Sequence, residues 1–424
     1  MSDDEPDHDL LDFLRQHFQK TAIAPAIPET QVLDGAEYVY DNAIDVAIDY
    51  QSTKAAAAMI YEQMQKKEYS TKTWSTHELH PKTKDESTVA FIFTMDLLNF
   101  SFWSEKGDEE RFAIEYKGKR WTGYWSLVAA LRRALDEDIP ITSSDFWQNE
   151  HECKPSCLSI KSFTPCDATL VISSSQVGYP SGIFPTAAGQ LHLQHRGNAK
   201  ARLQEFNRRR NPPLQRAHGL SPGSRPSSLR GTRPQRTHPL PATLTALRKY
   251  SCSFTNCIIA ANNSAAALVN LLADDFPCFN DVVRFEKRKS VRLLKRAQIC
   301  VADLWAAFEG EGFGEFHDID KITMFADYRV PQILNTLGCL WYSPLLDLAV
   351  RQKKKIESGH TWEVQMRGCS IWCVELIRRE ILRGHPEARI NAILIDFFLY
   401  DTMKEREGAG QDEIPHHRTR SIWY

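Results

Sequence analysis

The sequence lacks the features that would assign it to several large classes of protein. No uninterrupted apolar run approaches the roughly 20 residues of a membrane-spanning helix. Six of the first twelve residues are Asp or Glu, so secretory and mitochondrial targeting segments, which are basic, are not expected. The ten cysteines are scattered, and we expect buried reduced thiols in a protein of the cytoplasm, with the nucleus as the alternative compartment.

Familiar active-site motifs are also missing. The sequence has no GxGxxG or GxxxxGK[ST] loop for a nucleotide phosphate and no GxSxG turn for a nucleophilic serine. It has no HExxH motif and no paired CxxC motifs, which are the common spacings of zinc ligands. We therefore expect no metal and no other cofactor.

Charge is distributed unevenly along the chain. The whole sequence holds 52 Lys and Arg against 54 Asp and Glu, a net charge of −2. Residues 200–241 alone contain ten basic residues and one acid, Glu205. The remainder carries 42 basic and 53 acidic residues, a net charge of −11. An acidic body does not favour binding to nucleic acid, so we expect no stable nucleic-acid partner.

The composition divides the 424 residues into four parts. Residues 1–35 form an acidic N-terminus that we expect to be poorly ordered. Residues 153–248 are rich in Pro, Arg and Ser without a helical or strand period, which predicts a largely disordered insert. The flanking segments, 36–152 and 249–424, are predicted to form a single domain.

Hydrophobic periodicity predicts a mainly α-helical body with a small antiparallel β-sheet. Short runs rich in aromatic and β-branched residues predict strands at Val89–Phe93, Phe100–Trp103 and Phe112–Tyr116. Helical spacing and capping residues predict helices within 36–68 and at Trp125–Leu135, Asn263–Ala273, Val291–Phe308, Pro331–Leu337, Ser370–Leu382 and Ile390–Tyr400.

Asp327 is the first candidate for chemistry. It lies between Phe325 and Tyr328, just before the helix predicted to begin near Pro331. A partly desolvated carboxylate held at a helix N-terminus is suited to facing a cationic transition state. The alternative is structural, because Asp327 could cap this helix or pair with Arg329.

A second candidate lies in the apolar helix near the C-terminus. Asp396 is surrounded by apolar residues there, where an ionised carboxylate is costly unless it is paired or binds a ligand. Asp401 follows five residues later, about 140° around the helix, so the two side chains need not share a face. A salt bridge to one of the arginines is the structural alternative.

Aromatic residues and one cationic pair complete the candidates. Asn99, Phe100, Phe102, Trp103, Trp121, Tyr124 and Trp125 could wall a nucleobase pocket, or could simply belong to the core. Lys295 and Arg296 could hold a phosphate, although helical cations are usually solvated.

Taken together, these segments closely resemble the queuosine salvage proteins, a family of queuosine 5′-phosphate N-glycosylase/hydrolases. The resemblance covers roughly 74–150 and 249–424. The strings that carry it include THEL (Thr76–Leu79), MDLLNFSFW (Met95–Trp103), GKRWTGYWSL (Gly118–Leu127), ALDEDIPIT (Ala134–Thr142), KRAQ (Lys295–Gln298), TMFADYRVPQ (Thr323–Gln332) and RGCSIWCVELI (Arg367–Ile377). The Pro/Arg/Ser-rich segment departs from the family pattern and resembles either a retained intron or an insert.

The resemblance implies a helical fold related to helix-hairpin-helix DNA glycosylases, and an enzyme that releases queuine from queuosine 5′-monophosphate for reuse in tRNA. Apart from the resemblance, we expect a monomer. The resemblance also implies Asp327 as the catalytic residue, acting on an oxocarbenium-like ribose. Substrate contacts are expected from His77, Phe325, Tyr328, Lys295, Asp396, Phe397 and Asp401. Two alternatives stay open, a DNA base-excision glycosylase and, if the insert has disrupted the pocket, a non-catalytic nucleotide-binding protein.

Overall fold

A computed structural model of the protein describes residues 28–100, 102–107, 109–144, 246–286, 289–411 and 414–424. The predicted disordered insert, 153–248, lies outside the described residues apart from 246–248, which are helical. Most of the predicted N-terminal segment, 1–35, also lies outside them. Its last residues belong to a helix that begins at Val32, so the predicted boundary at residue 35 falls inside a helix.

The described part of the chain is mainly helical, as predicted. Several helices follow the predicted spans closely, but the helix near residue 370 begins earlier than predicted and the helix near residue 400 ends later. The helix predicted from Val291 begins only at Lys295, because Val291 and Arg292 pair in an antiparallel strand. The helices are α1 (Val32–Asp41), α2 (Tyr50–Lys66), α3 (Lys72–Thr76), α4 (Glu86–Asp96), α5 (Tyr124–Asp136), α6 (Phe254–Ala260), α7 (Ala265–Asp275), α8 (Lys295–Ala307), α9 (Arg329–Thr336), α10 (Pro344–Arg351), α11 (Thr361–Gly384) and α12 (Ala392–Gly408). None of these helices combines the length and apolar character that crossing a membrane would need.

The strands form three separate antiparallel pairs within the described residues. The pairs are β1 (Val46–Ile48) with β6 (Leu340–Tyr342), β2 (Ala113–Tyr116) with β3 (Lys119–Thr122), and β4 (Val282–Phe285) with β5 (Lys289–Arg292). The β2–β3 hairpin turns through Lys117 and Gly118, both with positive φ, which is the geometry that matches the twist of a two-residue hairpin. The predicted strand at Phe112–Tyr116 is therefore confirmed within one residue.

The strand predicted at Val89–Phe93 is wrong, because these residues lie in the middle of α4. Asp85 caps this helix through Oδ1, which accepts from the backbone N–H groups of Ser87 (3.0 Å) and Thr88 (3.2 Å). Nearly every α4 residue is buried, so the helix has no polar face to reveal its period. The described residues of the predicted strand Phe100–Trp103 are not in a strand either.

One hydrophobic core joins the segments on both sides of the predicted insert. Phe93 of α4 stacks on Phe254 of α6 with ring centroids 4.4 Å apart. The long helix α11 passes through the core and packs against α1, α2, α9 and α12. Gly368 permits the close approach of α1, since a Cβ there would lie 2.6 Å from Val39 Cγ1. The described cysteines are free and buried, as predicted.

Candidate active site

A cavity of about 590 Å³ opens between α3, α8, α12, the turn before α9 and the C-terminal segment. This volume is in the range of sites that enclose a small molecule. Its walls contain every candidate named from the sequence as catalytic or substrate-binding: His77, Lys295, Phe325, Asp327, Tyr328, Asp396, Phe397 and Asp401. The fold therefore brings together residues that are separated by more than 300 positions in the sequence.

Asp327 is held at the N-terminus of α9. Its Oδ1 accepts hydrogen bonds from the backbone N–H groups of Arg329 (2.8 Å) and Val330 (3.0 Å), and its side chain is partly exposed to the cavity. The guanidinium of Arg329 pairs instead with Glu407 at 3.1 Å. One oxygen of Asp327 therefore caps the helix, as the structural alternative predicted, and the side chain also faces the cavity.

The backbone around Asp327 is fixed on both sides. Phe325 N–H donates to Asp396 Oδ2 (3.0 Å), and Arg367 Nε donates to the Ala326 carbonyl oxygen (2.8 Å). Arg367 is fully buried and forms ion pairs with Asp281 and with Glu363, which lies one turn earlier in α11. The turn that carries Asp327 is therefore tied to the centre of the core.

Lys295 is the first residue of α8, and only 7% of it is exposed. Its backbone N–H donates to Asp281 (3.3 Å), but its ammonium group has no hydrogen-bond or ion-pair partner among the described residues. Burial lowers the pKa of Lys295, and the nearby carboxylates of Asp327, Asp96 and Asp396 oppose that shift. A buried cation without a direct partner is an open position for an anionic ligand.

Burial raises the pKa of Asp327 above its usual range, and Lys295 and the two backbone donors oppose the shift. For Asp396, burial and the neighbouring Asp327 raise the pKa well above the usual range. The pKa of Asp396 is raised further than the pKa of Asp327, so Asp327 is the carboxyl group of this pair that ionises more readily.

Asp396 and Asp401 both line the cavity, although the sequence left open whether they would share a face. Asp401 Oδ2 accepts a hydrogen bond from the Tyr69 hydroxyl (2.5 Å), and burial raises the pKa of Asp401. Neither aspartate forms an ion pair with an arginine in the described part of the chain. The described arginines therefore give no support to the salt-bridge alternative for either residue.

Aromatic rings form much of the remaining wall. Phe325 and Phe397 meet with centroids 6.0 Å apart, and Tyr328 lies against His416 at 4.6 Å. From the aromatic cluster that the sequence indicated, the lining residues are Asn99, Phe102, Trp103, Tyr124 and Trp125. Phe102, Tyr124 and Trp125 also pack against the hydrophobic core. These residues are therefore part of the pocket wall and part of the core at once.

His77 stacks face to face on Trp125, with an interplanar angle of 14°. Its Nδ1 accepts from Leu79 N–H (3.2 Å), which leaves Nε2 as the donor. Burial lowers the pKa of His77 below 6.5, so the ring is neutral at pH 7. A neutral donor is better suited to a hydroxyl group than to pairing with a phosphate charge.

Several lining residues were not anticipated from the sequence. Trp74 Nε1 donates to Asp303 Oδ1 (3.0 Å), and both side chains line the cavity. Tyr424 packs its ring on Arg367, 4.5 Å from the guanidinium carbon, and also reaches the cavity. A usable signal existed for Asp303, because Lys295 and Asp303 are eight residues apart and so share a face of α8.

The sequence model of the family described as "Queuosine salvage protein" matches residues 79–165 and 232–424. The chain belongs to the queuosine salvage protein family. Most cavity residues fall within the matched segments, whereas His77 comes two positions before the first one. The unmatched stretch, 166–231, falls inside the predicted insert.

Similar proteins of the queuosine salvage family occur in eukaryotes and bacteria. A relative from Schizosaccharomyces pombe is 38% identical over 409 residues, covering 93% of this chain and 100% of that protein. A relative from Mus musculus is 34% identical and covers 94% of this chain and 99% of that protein. One from Sphaerobacter thermophilus is 32% identical, with coverage of 93% and 97%. All three are named queuosine 5′-phosphate N-glycosylase/hydrolase.

Proposed function

We propose that this protein hydrolyses the N-glycosidic bond of queuosine 5′-monophosphate and releases the base queuine, which is then available for tRNA. The names of its relatives support this N-glycosyl hydrolase activity. The observation in the structure that carries the proposal is the position of Asp327. A carboxylate fixed by two backbone N–H groups faces a cavity that also contains the buried ammonium group of Lys295, which has no hydrogen-bond or ion-pair partner among the described residues.

Asp327 acts on the sugar. Breaking the bond between the sugar and the base leaves positive charge on the ribose as an oxocarbenium-like centre, and a fixed carboxylate close to that centre stabilises it. Oδ1 of Asp327 is occupied by the helix N–H groups, so Oδ2 is the oxygen available to the ribose or to an attacking water. The free carboxylate oxygen is thus held in one orientation before the substrate binds.

Lys295 binds the 5′-phosphate. Its ammonium group is buried and has no partner in the described part of the chain, so a phosphate would supply the missing counter-charge. His77 donates from Nε2 to a ribose hydroxyl. These two contacts orient the sugar so that its anomeric carbon faces Asp327.

The base lies against the aromatic wall and the remaining carboxylates. Phe325, Tyr328 and Phe397 stack the ring, since flat apolar surfaces suit a nucleobase. Queuine carries a secondary ammonium group and a cyclopentene diol, and Asp396 and Asp401 accept hydrogen bonds from these groups. Pairing with the ammonium group ionises Asp396 on binding, because an opposite charge lowers a carboxyl pKa.

We further propose that the helical body is related to helix-hairpin-helix DNA glycosylases. The mainly helical fold, with short antiparallel pairs between helices, supports this relationship. Superposition on a solved glycosylase of that class tests it. A matching order of helices, with Asp327 on the catalytic carboxylate, is expected, and a different order would contradict the relationship.

We propose that residues 36–152 and 249–424, together with the buried flanking residues Val32 and Leu247, form a single domain, and that most of the segment between them is an insert that catalysis does not need. The core that joins both sides, through contacts such as Phe93 with Phe254, supports this division. Replacing residues 166–231 with a short Gly/Ser linker is expected to leave queuine release unchanged. Loss of the released base, with the protein still folded, would assign the segment to the domain.

We also propose a monomer in the cytoplasm without a stable nucleic-acid partner. The net charge of −11 outside residues 200–241 and the free buried cysteines support this. Sedimentation and cell fractionation test the first two points, and salt-dependent binding to duplex DNA tests the third.

One assay separates the candidate functions. The purified protein is incubated with queuosine 5′-monophosphate, with queuosine and with a damaged DNA duplex, and released base is measured by mass spectrometry. Release of queuine from the monophosphate is expected, with slower release from queuosine because Lys295 then lacks its phosphate. Release of a base from the duplex alone would support a DNA glycosylase, and release from none would support a non-catalytic binding protein.

A further inference from the structure

One buried carboxyl group in the cavity has no role in the chemistry described above. Asp303 is 3% exposed and lies in α8. Lys295, Ile299 and Asp303 follow at four-residue intervals and all line the cavity, so one face of α8 forms part of its wall. Asp303 lies about 12 Å further along the helix axis than Lys295. A nucleotide whose phosphate binds Lys295 and whose base lies further along this face of α8 would place that base near Asp303.

The carboxyl group of Asp303 is held in one orientation. Trp74 Nε1 donates to Oδ1 at 3.0 Å. The Trp74 ring is itself stacked on His80, with centroids 3.8 Å apart, and the Trp74 carbonyl oxygen is hydrogen-bonded to His80 Nδ1 (2.8 Å). Because Oδ1 already accepts a hydrogen bond, a proton on this carboxyl group belongs on Oδ2.

The surroundings of Asp303 favour its neutral form. Burial and the nearby carboxylates of Asp96 and Asp396 raise the pKa of Asp303 well above its usual range, while Lys295 and the Trp74 indole oppose the shift. Asp327, in contrast, has two backbone donors in addition to Lys295. The pKa of Asp303 is thus raised further than that of Asp327, so Asp303 can stay protonated at a pH where Asp327 is ionised, the arrangement that separates an acid from a base.

We propose that Asp303 is the general acid that protonates the departing base. This assignment rests on the proposed function. Queuine is a 7-deazapurine and lacks N7, so the proton goes to a ring nitrogen of the six-membered ring or to its exocyclic oxygen. As the bond between the anomeric carbon and the base breaks, its electron pair stays on the base and the Asp303 Oδ2–H proton transfers there.

The cycle consumes one water molecule. Water adds to the anomeric carbon, and its proton passes to Asp327 and then to solvent. Solvent in turn returns a proton to Asp303, so both carboxyl groups recover their starting states. General acid catalysis of this kind typically contributes about 10²–10⁴-fold to a rate.

The test compares two leaving groups in the full-length protein. D303N keeps an oxygen acceptor for Trp74 but carries no acidic proton, and D41N, which changes an exposed aspartate outside the cavity, is the control. Each is assayed with queuosine 5′-monophosphate and with 4-nitrophenyl riboside 5′-phosphate, whose nitrophenolate leaves without protonation. We expect D303N to lose about 100-fold or more in kcat with the nucleotide and less than about 3-fold with the nitrophenyl substrate. Normal turnover of the second substrate also demonstrates that the variant is folded.

The pH profile supplies a second readout. Wild-type kcat is expected to fall at high pH as Asp303 ionises, and D303N is expected to lack that fall. The charged or titratable groups that act on Asp303 include Asp96, Lys295, Asp396, the Tyr124 hydroxyl and the Cys300 thiol. A role confined to packing or to binding the base would leave the high-pH limb of the profile in place.

Other outcomes overturn the assignment. Equal losses with both substrates would mean that Asp303 acts on the sugar or on folding. No loss with either would mean that it donates no proton. If the wild-type protein cleaves neither substrate, the proposed function fails and this assignment fails with it. An active wild type with an unaffected D303N overturns the assignment alone.

Discussion

The substitution D327N tests the proposed role of the carboxylate most selectively. Asparagine keeps an oxygen for the backbone N–H groups of Arg329 and Val330, and it caps a helix about as well as aspartate, so the turn should be preserved. What is removed is one negative charge facing the cavity. A charge about 4 Å from a developing cation contributes about 4 kcal/mol at an effective dielectric constant near 20. We therefore expect kcat to fall by about 10³-fold, at about 1.4 kcal/mol for each tenfold.

Single-turnover release of queuine, quenched and measured by mass spectrometry, gives this rate without interference from slow product release. Binding of queuine to D327N, measured by calorimetry, should remain close to wild type, because the base contacts are unchanged. D41N changes an exposed aspartate outside the cavity and serves as the matched control. Turnover of D327N within a few-fold of wild type would refute the role of Asp327.

Three further predictions follow from the same contacts. K295M removes the buried ammonium group at nearly constant volume. We expect kcat/KM for the nucleotide to fall by at least about 30-fold, as for the loss of a charged hydrogen bond of about 2 kcal/mol, with a much smaller change for the nucleoside. Equal losses for the two substrates would contradict the phosphate role. Burial raises the pKa of Asp327, and the ionised form is the active one. Steady-state activity should therefore be full above that pKa and fall in acid, with a midpoint above 3.8, the usual value of an aspartate pKa. A midpoint at or below 3.8 would contradict ionisation in the buried site. G368A would place a Cβ 2.6 Å from Val39 Cγ1, and overpacking should lower the free energy of urea unfolding by about 1–3 kcal/mol; unchanged unfolding would mean that α1 can shift away.

Most helices could be predicted from the sequence because their apolar residues repeat with a helical period. The prediction failed at α4, where burial on all sides leaves no polar face and the aromatic and β-branched residues mimic a strand. It also began α11 nine residues late, at Ser370 instead of Thr361. The early turns of α11 bury Glu363 and Arg367, and buried charged residues conceal an apolar pattern.

The candidate site was predicted unevenly for a physical reason. Asp327 and Asp396 stand out because a carboxylate among apolar residues is costly, and the family resemblance gave them roles. Lys295 gave only a weak signal, since a cation at a helix start is usually solvated, and only the fold reveals that it is buried. Tyr424 was missed because its position depends on a distant partner, Arg367, that no local pattern connects to it. Asp303 was missed although its spacing from Lys295 was a local signal, because its hydrogen bond from the distant Trp74 cannot be read from the sequence.

Hydrolysis of queuosine 5′-monophosphate in H₂¹⁸O by the wild-type protein tests directly whether this cavity cleaves the N-glycosidic bond. We expect free queuine and ribose 5-phosphate in equal amounts. We also expect that, in a rapidly quenched sample, the sugar carries one ¹⁸O at its anomeric carbon and the base carries none. Absence of released queuine, or release of an unlabelled sugar product, would contradict the claim that this cavity hydrolyses the N-glycosidic bond.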